Sequence, residues 1–200
     1  MSLVRRVLSV NVAQTQPMMI EGRRILTGIG KRPVGSPEMP TRVPVKALGL
    51  EGDEQADLTV HGGVSKAVYA YPHEHYAFWE TVRAQAGVQE WGAPLPIGLP
   101  GENLTITGLL ESDAYIGDLL KFPDCTLAIS EPRRPCYKFA AVMGFPQALK
   151  MMAQSGWCGF YLSVRVPGTI AAGEPFELIR GPQEVSIADL FRAKMRKEAA

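Results

Sequence analysis

Ile116-Gly117-Asp118-Leu119-Leu120-Lys121-Phe122-Pro123-Asp124-Cys125-Thr126-Leu127-Ala128-Ile129-Ser130 holds two short apolar runs, Leu119–Phe122 and Thr126–Ser130, parted by a Pro-Asp break. Each run is four or five residues long, too short for a helix and suited to a strand. A glycine and a carboxylate precede the first run. Ala172-Gly173-Glu174-Pro175-Phe176 repeats that arrangement, as hairpin turns do.

The pattern extends along the chain. Its 20 glycines and 16 prolines punctuate further short runs rich in Val, Ile, Leu, Thr and Tyr. These predict strands at Val4–Val12, Arg24–Ile29, Arg42–Leu48, Ala67–Tyr71, Asn103–Ile106, Tyr161–Val166 and Phe176–Ile179. Many short strands with turns between them predict a mainly β protein with a few helices (α+β), built as a barrel or sandwich. A helix is expected from Pro72 to about Ala86, with Tyr76, Trp79, Val82 and Ala86 as its core stripe. A second runs from Pro146 to Ser155, with Leu149, Met152 and Ala153 on one face and Gly156 as its stop. A third begins at Ser186, which can cap it with Asp189 three residues on. Its basic tail, Arg192–Lys197, reads as a solvated end that frays.

Two hundred residues, 46% of them hydrophobic, suffice for one substantial core. Lys and Arg number 21 against 20 Asp and Glu, so no global field points to nucleic acid or membrane. The start of the chain has no secretory pattern, and no run of apolar residues is long enough to span a bilayer. Three widely spaced cysteines argue against a disulfide framework, an iron–sulfur cluster or a structural zinc, and fit a cytoplasmic setting.

Chemistry concentrates after Ser130, in Glu131-Pro132-Arg133-Arg134-Pro135-Cys136-Tyr137-Lys138. Positive charge favours the thiolate, which is both nucleophile and metal ligand, and the prolines stiffen the loop. A structural cysteine beside a solvated basic turn explains the same residues, and the two readings stand level. Upstream, Gly52-Asp53-Glu54-Gln55-Ala56-Asp57 leads to His61-Gly62-Gly63-Val64-Ser65-Lys66 before a strand. Paired glycines admit a ligand to backbone amides and Lys66 can meet an oxyanion, although a polar turn would also contain these residues. Asp53, Asp57, His61, His73 and His75 offer metal-ligand types, but His73 and His75 fall on different faces of the expected helix. Lys31 and Arg32, after Gly28-Ile29-Gly30, can also meet an anion. Asn103, in Gly101-Glu102-Asn103-Leu104, can bond a ligand or only the turn. Cys158, without charged neighbours, reads as structural or pocket-lining.

Taken in order, Gly52–Asp57, His61-Gly62-Gly63 with Lys66–Tyr71, Gly101–Leu104, Ile116-Gly117-Asp118 and Glu131–Lys138 resemble the MOSC domain, named for the C-terminal part of molybdenum cofactor sulfurases. The resemblance covers roughly Leu3 to Arg180, and divides the chain into a domain over 1–182 and a short helical tail over 183–200. It is closest to the stand-alone bacterial branch similar to hydroxylaminopurine-resistance proteins. It implies a closed β-barrel of the MOSC, pyruvate kinase barrel-like type that binds the molybdenum cofactor (molybdopterin). Cys136 would be the protein's ligand to the metal and its catalytic residue. Lys31, Arg32, Lys66, Arg133, Arg134 and Lys138 would face the anionic cofactor, while Asp57, His61, Gly62, Gly63 and Asn103 would orient pterin or substrate. The implied activity is reduction of small N-hydroxylated compounds with electrons from a separate reductase. The alternative is a non-catalytic carrier of the cofactor or of persulfide sulfur. Sulfurases add a pyridoxal-phosphate desulfurase region for which this chain has no room, so self-contained sulfuration is not expected. The chain also stops about fifteen residues after Ser186, where longer relatives add a helical extension that could dock an electron donor. Exposed barrel faces leave room for a homodimer.

Overall fold

Strands dominate the computed structural model, which describes residues 4–56 and 62–199. In chain order they are β1 (Arg6–Val12), β2 (Gln16–Ile20), β3 (Arg23–Thr27), β4 (Arg32–Pro33), β5 (Val43–Lys46), β6 (Gly49–Leu50), β7 (Val68–Pro72), β8 (Leu104–Thr107), β9 (Leu119–Lys121), β10 (Thr126–Pro132), β11 (Phe160–Val166), β12 (Gly168–Ile170) and β13 (Glu177–Ile179). The helices are α1 (Tyr76–Gln85), α2 (Tyr137–Met143), α3 (Ala148–Ser155) and α4 (Ile187–Ala199), with short 3-10 turns at Val64–Lys66 and His73–His75.

Eight strands form the main sheet in the order β13-β9-β10-β11-β7-β8-β1-β4, antiparallel except for the β7–β8 pair. The opening stretch thus becomes β9 and β10, with Leu120 opposite Leu127. Its turn works as the sequence suggests. Gly117 takes φ +87°, and the buried Asp118 carboxylate accepts the Tyr115 and Gly181 amides at 3.2 and 2.7 Å. The strand expectation holds, and in place of the expected closed barrel the described residues give one large eight-stranded sheet. Among the described residues no ladder joins β13 to β4. One bridge, Arg6 with Pro175, ties β1 to the chain just before β13, supported by the Val7 N–H donating to the Glu174 carbonyl at 2.9 Å.

β7 is buried along its whole length, as a near-continuous apolar strand requires. Its Tyr71 hydroxyl accepts the indole N–H of fully buried Trp79 at 2.6 Å and donates to the Trp157 carbonyl at 3.2 Å. Trp79 packs edge-on against Phe139 of α2, with ring centres 5.3 Å apart. The first expected helix therefore exists, but a 3-10 turn occupies its start and Ala86 is exposed rather than core. The second ends at Gly156 in the left-handed region, φ +72°, as expected. Ser186 caps the third by accepting the Asp189 amide at 3.1 Å. That helix continues through its basic segment to Ala199, with Ile187 and Phe191 in the core and Lys194 3.6 Å from Glu131 of β10. No helix among the described residues is long and apolar enough to cross a membrane.

Candidate functional site

A cleft of about 620 Å³, counting its solvent-open space, lies where the chain after β3, the segment before β7, and the β10–α2 connection meet. Its walls include Gly28, Ile29, Lys31, Asp53, Lys66, Tyr69, Gly101, Asn103, Arg133, Cys136, Lys138 and Tyr161. Backbone register builds its aromatic side. Tyr161 of β11 pairs with Tyr69 of β7, which brings the rings to 5.4 Å. Lys66 sits over the Tyr161 ring at 5.9 Å, a cation–π distance. Gly101 takes φ +94°, and a Cβ there would stand 2.7 Å from Ile29 Cγ1, so the wall requires glycine.

Arg133 is the most enclosed cation, 4% exposed. Its guanidinium lies between the rings of Tyr69 and Phe139, at 4.8 and 5.1 Å. Nη1 donates to the Pro100 carbonyl at 2.6 Å and to the Tyr69 hydroxyl at 3.4 Å. Burial disfavours its charge, but its interactions with Tyr69, Cys136 and Tyr161 outweigh that and raise its pKa above the ordinary arginine value. Burial likewise pushes the Tyr69 and Tyr161 hydroxyls upward, so both stay neutral donors at ordinary pH. Cys136 is half-buried and precedes α2 in extended conformation, its carbonyl accepting the Phe139 amide at 2.9 Å. The sequence treats this region as a stiff loop. Phe139 and Met143, four residues apart and both buried, with Gly144 left-handed after them, are the helix signal that the proline run masks.

Five of the residues expected to hold a cofactor meet in this cleft with Cys136: Lys31, Lys66, Asn103, Arg133 and Lys138. Lys138 donates to the Leu26 carbonyl at 3.3 Å, tying α2 to the β2–β3 hairpin. Two expected cations are not among the residues lining the cleft. Arg32 is exposed on β4 and lines a separate shallow depression with Gln14 and Gly52. Arg134 is exposed and is not part of the cleft wall. Gly62 and Gly63 lead into the 3-10 turn that carries Lys66 but are not wall residues, and Asp57 and His61 lie outside the described residues. The other histidines do not join Asp53 in a metal site. His75 is buried 2.8 Å from Glu111 and stacked on Trp157, while His73 stacks on Tyr76. Cys158 is fully buried and burial raises its pKa, in keeping with its structural reading.

Behind the cleft, Glu102 is fully buried. It accepts from Thr105 at 2.8 Å, from Gly98 N at 3.2 Å and from the Tyr76 hydroxyl, while Oε2 has no partner. Burial raises its pKa above the ordinary 4.5, against the pull of the Tyr76 and Thr105 hydrogen bonds. An acid with a raised folded pKa stabilises the fold fully below its unfolded pKa, and loses that contribution as pH rises through the folded value. Glu102→Gln is therefore expected to flatten the fall in stability from pH 4.5 upward, checked by urea unfolding at pH 5 and pH 7. An equal pH dependence in both proteins would contradict it.

A β-sheet protein with one thiol and several cations converging on a tyrosine-walled cleft is a candidate anion-cofactor protein. The MOSC domain family model matches residues 57–177, and the chain belongs to that family. It is 39% identical to the uncharacterized protein YflK of Bacillus subtilis over 182 residues, 90% of this chain and 76% of that protein. It is 36% identical over 141 residues to a Gibberella moniliformis protein named Reductase, covering 68% of this chain but 23% of that protein. The crystal structure of YiiM from Geobacillus stearothermophilus superposes with a TM-score of 0.73 at 31% identity, covering 98% of this chain and 86% of that one. YflK and YiiM set the chain in the stand-alone bacterial branch.

Proposed function

We propose that the cleft holds a molybdenum cofactor with Cys136 as the protein's ligand to the metal, and that the protein reduces small N-hydroxylated compounds. The observation that carries this reading is the convergence of one half-buried thiol with Lys31, Lys66, Arg133 and Lys138 in a single cleft. The donor set fits such a group. Among the described residues no three His, Cys, Asp or Glu side chains form a metal site, so the cleft suits a metal that brings most of its ligands with it. A thiolate suits a metal already in sulfur coordination, and the cations suit a phosphate-bearing pterin.

When bound, the cofactor supplies two-electron chemistry at the N–O bond. The chain supplies the rest. Arg133 is oriented by Tyr69 and Pro100 before any ligand arrives, and Tyr69 and Tyr161 supply the aromatic wall, the Tyr69 hydroxyl being spent as a donor to the Cys158 carbonyl at 2.8 Å. The overall change, R–NHOH with two electrons and two protons giving R–NH2 and water, needs an external donor. The chain has no iron–sulfur cysteine set or recognisable flavin loop, so we assign that role to a separate reductase. The fungal relative's name supports reduction as the reaction type. Incubating the purified protein with an N-hydroxylated base and an artificial donor is expected to yield the amine, and Cys136→Ser is expected to yield none. A protein that carries molybdenum but turns over no N-hydroxylated substrate would be a carrier instead.

A further inference from the structure

The cleft's polar wall has a second layer. The Lys31 ammonium is bonded to Asp53, and the two side chains are 8% and 3% exposed. Burial lowers the lysine's pKa, and the charge and hydrogen bond of Asp53 oppose that fall. Asp53 is itself held from two sides: Oδ1 also accepts the Ala13 amide at 2.9 Å, and Oδ2 accepts Nδ2 of Asn103 at 2.8 Å. Asn103 is committed to the protein. Its Nδ2 also donates to the Asn11 carbonyl at 3.2 Å, and its Oδ1 accepts the Tyr69 amide at 3.1 Å. Both amide hydrogens are engaged, so a residue expected among the ligand contacts has no donor left to offer.

We propose that Asn103 is a positioning residue that acts through Asp53 to hold the Lys31 ammonium in place for an anionic ligand, without touching the ligand itself. This rests on the reading of the cleft as an anionic-cofactor site. A buried ammonium needs a counter-charge, and a carboxylate with donors on both oxygens cannot turn away from it. Asn11 and Tyr69 in turn anchor Asn103 to β1 and β7, so the lysine's position is set by the sheet rather than by its own loop.

A double-mutant cycle separates action through Lys31 from direct contact. The protein is produced in a host that makes the molybdenum cofactor, and retained molybdenum is measured after a fixed dialysis. In parallel, Lys31 acetylation at pH 8 is followed by peptide mass spectrometry against exposed Lys150 as internal standard. Asn103→Ala and Asp53→Asn are each expected to speed Lys31 acetylation about tenfold, because the ammonium loses its counter-charge or the counter-charge is no longer held against it. Both should lower molybdenum retention as far as Lys31→Gln does, and Asn103→Ala should add no further loss in the Lys31→Gln background. A double variant that loses clearly more than Lys31→Gln alone would make Asn103 a ligand contact and overturn the proposal. So would unchanged Lys31 acetylation in both single variants. If Asn103→Ala fails to fold, the near-isosteric Asp53→Asn carries the same comparisons. If the wild type holds no molybdenum, the cofactor reading fails, while the acetylation arm still decides whether Asn103 and Asp53 hold Lys31.

Discussion

Arg133→Met is expected to leave the protein folded while lowering retention of the cofactor by about a hundredfold or more. Methionine keeps apolar volume between Tyr69 and Phe139, where the guanidinium lies at 4.8 and 5.1 Å from the ring centres. The substitution costs the Pro100 carbonyl its 2.6 Å donor, about 1–3 kcal/mol for a buried acceptor left unpaired. Removing the desolvation cost of a buried charge offsets part of this, so the net change in stability should be modest. Ligand binding has no such offset. Hydrogen bonds to charged groups contribute about 1.5–3 kcal/mol each, and two of them lost to an anion amount to a hundredfold or more. Thermal unfolding and molybdenum content measured on the same sample check both halves. A large drop in melting temperature with retention unchanged would make Arg133 a structural cation only.

Much of the fold is legible because short apolar runs flanked by Gly and Pro become strands wherever they are long enough to bury a face. β1, β7, β10 and β11 each lie within about two residues of their expected bounds. Four strands fall outside the expected runs, β2, β4, β6 and β12; of these β4 and β6 are Arg32-Pro33 and Gly49-Leu50, pairs with no periodicity, paired because β1 and β5 run beside them. Adjacent cations show a second limit. Neighbouring side chains point to opposite sides of a strand, and beside β4 and β10 only one member of Lys31–Arg32 and of Arg133–Arg134 lines the cleft. Alternation says that one of each pair should leave the site, but not which one. Tyr69 and Tyr161 escape notice because only the β7–β11 register makes them neighbours across 92 residues of sequence. Asp53 is visible as a candidate metal ligand, and becomes the counter-charge of Lys31 only through tertiary contact. Asn103 shows the reverse: its motif marks it for the site, and its hydrogen bonds turn it toward the protein.

Cys136→Ser has the largest expected effect, because no neighbour can substitute for the thiol. Cys158 and Cys125 are both buried, and neither is in the cleft wall. Serine preserves size and the extended conformation before α2, so the fold should persist, but a hydroxyl is a poor ligand for a metal in sulfur coordination. The direct measurement is the molybdenum-to-protein ratio of wild type and Cys136→Ser purified side by side from a host that makes the cofactor. About one molybdenum per wild-type chain is expected, and close to none in the folded variant. Molybdenum-free wild type, or a serine variant that retains the full complement, would contradict it.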